Sequence, residues 1–210
     1  MASYPVNLVV TGRPVLVVGG GRIAAGKVRG LLEAGAQVTV VAPEIAGEIA
    51  EELAALGVTV LRRRYRAGEV GDYRLAVTAT GDRDVDQQVF DEAEAAGVWV
   101  NSADDPARCS FTLPSRLRRG DLLVTVSTGG RSPALAAWLR ELLEEVVGPE
   151  YETLLELLAA ERDRMRAEGR STEVPGWRTA LESGMLERLH DGDVAGAEEL
   201  LRSCLSSSSA

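Results

Sequence analysis

A glycine-rich turn directly after the first apolar run is the strongest chemical signal in the sequence. Residues 15–18 (VLVV) predict a buried strand, and Gly19, Gly21 and Ala24 then fill the three positions of a G-x-G-x-x-A pattern. In such a turn the first glycine permits a tight bend, the second lets a pyrophosphate reach the backbone, and the small third residue lets helix pack against strand. The helix N-terminus offers unpaired N–H groups to the phosphates. The turn therefore predicts a dinucleotide site; a glycine turn without a ligand is the alternative.

The end of the second predicted strand bears on which dinucleotide binds. The segment 40–44 (VVAPE) has no acidic residue at the usual ribose-binding tip, and Glu44 is the nearest carboxylate. The tip also has no arginine that would favour a 2′-phosphate, so the pattern favours NAD over NADP. The predicted cofactor-binding residues are Gly19, Gly21, Arg22, Ile23, Pro43 and Glu44.

A carboxylate in the run 101–106 (NSADDP) is the candidate for acid–base chemistry. Asp104 follows the fifth predicted strand, at the carboxyl edge of the sheet where open α/β folds bind ligands. A carboxylate at that edge can act as a general base. The alternative is that Asp104 only caps or bends the loop before Pro106. The neighbouring Asp105 either acts on Asp104 electrostatically or faces water.

The elements that position these residues alternate between short apolar strands and helical patterns. This alternation predicts an α/β fold with a Rossmann-like parallel sheet covered by helices on both faces. The predicted strands are 15–18, 37–42, 58–61, 75–80 and 98–100. The predicted helices run from the glycine turn to about residue 34, over 45–56, and from an Asp82 N-cap to Ala96.

The pattern changes after residue 110. Apolar runs at 111–113 and 122–128, separated by SRLRRGD, predict a small antiparallel hairpin. Ser132 as N-cap and Pro133 as first helical residue predict the next helix. The predicted helices of this part are 134–147, 151–167, 177–190 and 194–204. The predicted domains are a Rossmann domain (1–113), a hairpin-plus-helix segment (114–147) and a C-terminal helical domain (148–210).

The composition narrows the function classes. The net charge is −9, with seven arginines against thirteen acidic residues from Gly148 onward, which argues against nucleic acid or an anionic membrane as a partner. The apolar runs are far shorter than a membrane-spanning helix, and the N-terminus lacks a signal-peptide pattern. Cys109 and Cys204 are too few for a disulfide framework. His190 is the single histidine, so we expect no metal site, and we expect a cytoplasmic protein.

Five segments, taken in order, resemble the siroheme synthase N-terminal family, which contains precorrin-2 dehydrogenases, some of them also sirohydrochlorin ferrochelatases. The segments are VLVVGGGRIAAGK (15–27), VVAPE (40–44), NSADDP (101–106), SFTLPS (110–115) and VSTGGRSPALA (126–136). The resemblance implies NAD-dependent oxidation of precorrin-2 to sirohydrochlorin and, in bifunctional members, insertion of ferrous iron, with cobalt as the alternative metal. It also implies a homodimer held largely by residues 114–147, and a helical tail that helps to enclose the tetrapyrrole.

The resemblance also implies site residues. Asp104 matches the family's aspartate in the N-x-x-D-x-P loop, which favours its catalytic interpretation. Thr128 stands where relatives often have serine, so its hydroxyl is a candidate substrate contact, although a β-branched residue that ends a strand needs no such role. Gly129 would allow close backbone approach. The arginines near these segments are Arg108, Arg116, Arg118, Arg119 and Arg131. We expect about two of them, Arg116 and Arg131, to bind the carboxylates of the substrate, and the others to be solvated surface.

Two other function classes remain open. An NAD-dependent dehydrogenase of another small substrate would use a catalytic histidine or lysine, and the sequence offers only His190 and Lys27 for that role. A nucleotide-sensing regulatory protein without catalysis would bind the cofactor but would need neither a catalytic carboxylate nor a tetrapyrrole.

Overall fold

Short runs rich in valine build a five-stranded parallel sheet in the first part of the chain. The computed structural model describes residues 3–207, and the boundary between two compact units falls between Leu113 and Pro114. The strands of the first unit are β1 (Pro14–Val18), β2 (Gln37–Val41), β3 (Thr59–Leu61), β4 (Leu75–Thr78) and β5 (Trp99–Ser102). They lie in the order β3-β2-β1-β4-β5 and all pair in parallel, so the predicted Rossmann-like α/β fold is confirmed.

Helices cover this sheet on both faces, which explains why β1 is apolar at consecutive positions. The helices of the unit are α1 (Arg22–Glu33), α2 (Gly47–Ala55) and α3 (Arg83–Ala96). Val15 and Val17 belong to one core layer, together with residues of α1 and α2. Leu16 and Val18 point to the opposite face and belong to the layer that α3 completes. Because both faces are buried, only the ends of the strands are left to meet a ligand.

The strand order reverses at β1. From β1 the chain passes outward to β2 and β3, and it then returns to β4 on the other side of β1. The loops that follow β1 and β4 therefore leave the sheet in opposite directions and open a crevice at the carboxyl ends of these strands. The glycine turn begins at that point, since it follows Val18 directly.

The N-terminus of α3 is capped as the sequence predicts. The Asp82 carboxylate accepts hydrogen bonds from the backbone N–H groups of Asp84 (3.1 Å) and Val85 (3.3 Å). Gly97, with φ +68°, follows the last residue of the helix. These two residues bound the helix at both ends.

The second unit contains a hairpin that lies later in the chain than predicted. Its strands are β6 (Ser115–Arg119) and β7 (Leu122–Val126), so the prediction of a first strand at 111–113 is wrong. In β6 the buried Leu117 stands between the exposed Arg116 and Arg118. A strand with so few apolar residues has the composition of a polar turn, so a search for apolar runs does not find it. Arg119 pairs with Leu122 around Gly120, whose φ is +54°, so the hairpin turn is correctly located at this glycine.

Helices make up the rest of the second unit, and one predicted helix is divided. They are α4 (Pro133–Val146), α5 (Glu150–Ala167), α6 (Gly176–Leu181), α7 (Met185–His190) and α8 (Val194–Ser207). The single helix predicted over 177–190 is interrupted at Gly184, whose φ of +91° lies outside the helical region. The interruption lets Ala180 and Met185 both enter one core with residues of α5 and α8. A further division of this unit at residue 147 stays a prediction.

The helices of the described residues give no candidate for a membrane span, since none is both long enough and apolar enough. The cytoplasmic location stays a prediction.

Replacing Asp82 with alanine should lower the free energy of unfolding by about 1 kcal/mol, because two N–H groups of α3 lose their acceptor. Urea unfolding followed by circular dichroism measures the change. Glu94→Ala, at an exposed position inside the same helix, is the control and should change stability by less than about 0.5 kcal/mol. Equal effects of the two substitutions would show that the cap contributes nothing.

Candidate functional site

The first glycine of the turn touches the end of a neighbouring strand. Gly19 has φ +132°, and a Cβ atom built on it would lie 2.2 Å from the carbonyl oxygen of Ala79, just beyond β4. Its backbone N–H donates to the carbonyl oxygen of Val41 at the end of β2 (2.9 Å). Only glycine fits this position, and it holds the turn at the place where the strand order reverses.

The second glycine makes a contact that the sequence pattern does not predict. A Cβ atom on Gly20 would lie 2.2 Å from the carbonyl oxygen of Glu44 and 2.7 Å from Cγ1 of Ile45. The loop after β2 is thus packed against the turn after β1. The structure thereby brings Pro43 and Glu44, both exposed, together with the glycine turn, as expected of one binding site. The run of three glycines was the only signal for this contact, since the motif constrains only the outer two.

Unlike Gly19 and Gly20, Gly21 has empty space at the position where a side chain would stand. It is the N-cap of α1, no side chain caps the helix, and a Cβ atom on it would have no atom within 4 Å. The first turn of α1 contains no acidic residue, and Arg22 and Ile23 are exposed beside it. An uncapped helix start with its positive end facing solvent is suited to bind an anionic phosphate group.

The second predicted site residue lies in the loop after β5. Asp104 is exposed, and no hydrogen bond or ion pair engages its carboxylate among the residues that the structure describes. Asp105 takes the capping role that was the alternative for Asp104, since its carboxylate accepts from the N–H of Ala107 at 2.9 Å. Asp104 therefore has a side chain free for a ligand, at the same edge of the sheet as the glycine turn.

Polar contacts behind Asp104 close the loop onto the sheet. The Asn101 side-chain amide donates to the carbonyl oxygen of Phe111 (2.9 Å), and the Ser110 hydroxyl accepts from the N–H of Val100 (2.7 Å). The Cys109 thiol donates to the carbonyl oxygen of Ser102 (3.3 Å). Burial raises the pKa of the Cys109 thiol, which favours its protonated form.

The remaining predicted site residues belong to the second unit, between β7 and α4. The Thr128 hydroxyl donates to the carbonyl oxygen of Ser132 and accepts from its N–H, both at 3.1 Å. Gly129 is exposed with φ +61°. The Ser132 hydroxyl accepts from the N–H of Leu135 (3.2 Å) and so caps α4, as predicted. Thr128 thus has a structural use, and its contact with substrate stays a prediction.

The arginines near the site segments differ in exposure. Arg108 is 7% exposed and turns into the first unit, and Arg119 donates to the carbonyl oxygen of Val147 (3.1 Å). Both are therefore used inside their own units. The exposed side chains are those of Arg116, Arg118 and Arg131. Within the described part of the chain, no group of three or more His, Cys, Asp and Glu side chains is arranged to hold a metal ion.

Two family models match the chain. An NAD(P)-binding family matches residues 6–115, and the family described as sirohaem biosynthesis protein central matches residues 119–145. The first match covers the glycine turn and the Asp104 loop. Residues 6–115 therefore belong to an NAD(P)-binding family. This match does not distinguish NAD from NADP.

The chain is also similar to named proteins. It is 41% identical over 166 residues to the siroheme synthase of Tolumonas auensis, covering 79% of this chain and 35% of that protein. It is 37% identical over 211 residues to the siroheme synthase of Nitrosomonas europaea, covering 99% of this chain and 44% of that protein. The chain thus spans less than half the length of these curated relatives. A solved structure, SirC, precorrin-2 dehydrogenase, aligns with 28% identity and a TM-score of 0.69 over 97% of this chain and 100% of that one.

Alanine substitutions should separate the two roles of the glycines. Gly20→Ala places a methyl group against the Glu44 backbone and should lower the free energy of unfolding by about 1–3 kcal/mol. Gly21→Ala meets no atom in the protein and should lower the free energy of unfolding by less than about 1 kcal/mol, the cost of alanine at an N-cap. Its methyl group should obstruct the phosphates and weaken dinucleotide binding about tenfold. Thermal unfolding and calorimetric titration with NAD measure the two effects. Unchanged NAD affinity in Gly21→Ala would contradict the assignment of the helix start as the phosphate site.

Proposed function

We propose that this chain, which belongs to the siroheme synthase N-terminal family, oxidises precorrin-2 to sirohydrochlorin with NAD. One observation supports the proposal above the others: the exposed, unengaged Asp104 carboxylate lies at the same sheet edge as an uncapped helix start. The helix start suits the cofactor phosphates, and the carboxylate suits a proton acceptor for a carbon centre undergoing oxidation.

The residues of the glycine turn fit the dinucleotide. The backbone N–H groups at the start of α1 would bind the pyrophosphate, and Gly21 would admit it because no side chain stands in the way. Glu44, exposed beside the turn, accepts hydrogen bonds from ribose hydroxyls and would repel a 2′-phosphate, which favours NAD over NADP. When bound, NAD would supply the acceptor for the hydride that the substrate loses.

Asp104 completes the oxidation. Removal of two electrons as hydride leaves a proton to be lost, and the Asp104 carboxylate accepts that proton and passes it to water. Because the carboxylate is exposed and has no internal partner among the described residues, proton release does not require breaking an ion pair. A positioned general base of this kind contributes about 10²–10⁴-fold to rate.

The second unit supplies candidate contacts for the substrate. Precorrin-2 is a polycarboxylate, whereas this chain is acidic overall, so local cations must offset the repulsion. Arg116 and Arg131 are exposed on either side of β7 in the sequence, and the guanidinium group suits carboxylates. Gly129 leaves the backbone beside Thr128 open to close approach.

Insertion of ferrous iron into sirohydrochlorin is the second activity that Asp104 supports. Two pyrrole protons leave the macrocycle as the metal enters, and the same exposed carboxylate can accept them in turn. The macrocycle nitrogens hold the incoming ion, which is a substrate here, and cobalt is the alternative metal.

The assembly that we propose is a homodimer formed through α4. Four apolar side chains on this helix are exposed at helical spacing: Leu135 (45%), Trp138 (55%), Leu142 (39%) and Val146 (68%). They form a continuous stripe on one face, and a stripe of this size on a surface helix is typical of a protein interface. A second copy of α4 would cover this stripe, because in a twofold interface each copy presents the same patch to the other.

The first experiment incubates the protein with enzymatically made precorrin-2 and NAD without metal, and follows sirohydrochlorin and NADH by absorbance. Both should appear in equal amounts, and more slowly with NADP. Asp104→Asn should lower kcat about 10²–10⁴-fold with the Kd for NAD unchanged. The control is Asp72→Asn, an exposed carboxylate elsewhere in the unit.

Binding of NAD without either product would contradict the proposed oxidation and favour a nucleotide-sensing regulatory protein. Ferrous iron or cobalt is then added to the product of the first reaction. Siroheme formation faster than the rate without protein would establish the second activity, and an unchanged rate would remove it.

Trp138→Glu should convert the dimer to a monomer, because a charge in the centre of an apolar stripe cannot be desolvated without cost. Sedimentation velocity measures the mass in solution, and circular dichroism checks folding. Glu141→Ala, on the same helix but outside the stripe, should leave the dimer intact. A monomeric wild-type chain would contradict the proposed assembly.

A further inference from the structure

Two adjacent carboxylates in the loop after β5 face different surroundings. Asp104 is exposed, whereas both oxygens of Asp105 are used inside the unit. Oδ1 of Asp105 accepts from the Ala107 N–H (2.9 Å), and Oδ2 lies 3.2 Å from Nη2 of Arg108. Asp105 is the N-cap of a short 3₁₀ turn, Pro106–Arg108, and Arg108 is the last residue of that turn.

Arg108 is unusual because a charged side chain is buried in an otherwise superficial turn. Its Nη1 approaches the carbonyl oxygen of Arg83, the first residue of α3, at 3.5 Å. Its Nε is buried without a hydrogen-bond partner among the described residues. Burying a guanidinium group is costly unless a carboxylate compensates it, and Asp105 is that carboxylate. Arg108 thereby connects the turn to the start of α3.

Asp104 therefore lies between two anchored points. On one side, the N–H of Ala103 donates to the carbonyl oxygen of Thr78 at the end of β4 (2.9 Å). On the other side, Asp105 is held by its cap and by Arg108. Together these contacts restrict movement of the backbone at Asp104, and the Asp105–Arg108 ion pair is the contact between two side chains.

We propose that Asp105 and Arg108 form an ion-pair latch that positions Asp104 for proton transfer. This inference rests on the proposed role of Asp104, and both latch residues act as positioning residues because neither meets the substrate. Arg108 is thereby removed from the arginines considered as substrate contacts. The latch affects the rate of proton transfer and leaves cofactor affinity unchanged, since the glycine turn and the loop after β2 lie outside it.

The kinetic test uses the full chain with Arg108→Met, Arg108→Lys, Asp105→Ala and the double variant Asp105→Ala/Arg108→Met. Each latch-breaking single variant should lower kcat for precorrin-2 oxidation about tenfold, since small misplacements of a catalytic group cost factors of this order. The KM for NAD should stay within about twofold, and Arg108→Lys, which keeps a cation near Asp105, should restore most of kcat. The double variant should be no slower than the slower single variant, because both changes remove one interaction.

A control variant removes a different ion pair of the same unit. Glu52→Ala breaks the contact between Glu52 on α2 and Arg29 on α1, which lies on the surface. It should leave kcat within about twofold of the wild type. A tenfold loss in this control would show that kcat reports general stability, and it would overturn the latch.

Cys109 offers a readout that does not depend on activity. In a Cys204→Ser background, an aromatic disulfide reagent modifies the Cys109 thiol, and the limiting rate at high pH, where every variant is fully thiolate, measures the opening of the loop, because Asp105 and Arg108 also affect the pKa of the thiol. Arg108→Met and Asp105→Ala should raise this rate about tenfold, and Arg108→Lys should raise it less. If Arg108→Met does not fold, Asp105→Ala still tests the latch, since its side chain is partly exposed.

The two readouts separate failure of the latch from failure of the proposed function. If the wild type does not oxidise precorrin-2, the proposed function is wrong. The proposed role of the ion pair in positioning Asp104 is then also wrong, even if the thiol rates change in the variants. If the wild type is active, unchanged kcat in folded latch variants overturns the proposal, whatever the thiol rates. Reduced kcat with raised thiol reactivity and unchanged KM for NAD supports it.

Discussion

The loops that follow β1, β2 and β4 pack so closely at the carboxyl ends of these strands that no Cβ atom fits between their backbones. The candidate site depends on this packing. Gly19 leaves no room for a Cβ atom against Ala79, and Gly20 leaves none against Glu44. Because the sheet is buried on both faces, these loop junctions are the places where the unit can meet a ligand. The same packing aims the start of α1 outward at Gly21, where the helix has no cap of its own.

Charged groups inside the protein have partners, and this makes the unpartnered ones informative. Arg63 pairs with Glu69 at 2.6 Å, Glu161 with Arg164 at 2.6 Å, and Arg108 with Asp105 at 3.2 Å. Burial without such a partner would cost more free energy than a domain of this size can spare. Asp104 is not bound in such a pair: it is exposed, no described residue engages it, and it lies at the carboxyl edge of the sheet. Its carboxylate is therefore available to a ligand, as the proposed role of Asp104 requires.

The elements that were predicted well have strong local signals. β1 follows from an unbroken apolar run, and α3 follows from an N-cap at Asp82 and a glycine at its end. The errors arise where tertiary packing overrides the local signal. The hairpin strand at 115–119 exposes arginines and buries Leu117, so its composition resembles a turn. The break at Gly184 serves a core that α5 and α8 supply from elsewhere in the chain.

The sequence by itself determined the parallel sheet and the position of the glycine turn, because glycine patterns and apolar periodicity act locally along the chain. It made the turn a candidate phosphate site, and the resemblance to a known family made Asp104 the candidate base. Only the tertiary structure decided the contacts of the residues next to them in the sequence. It assigned the capping role to Asp105 and the buried position to Arg108, and it showed that Gly20 is constrained by Glu44. These assignments depend on distances between residues from different loops. No pattern along a single segment contains such distances, since they arise only when the strands align and bring the loop ends together.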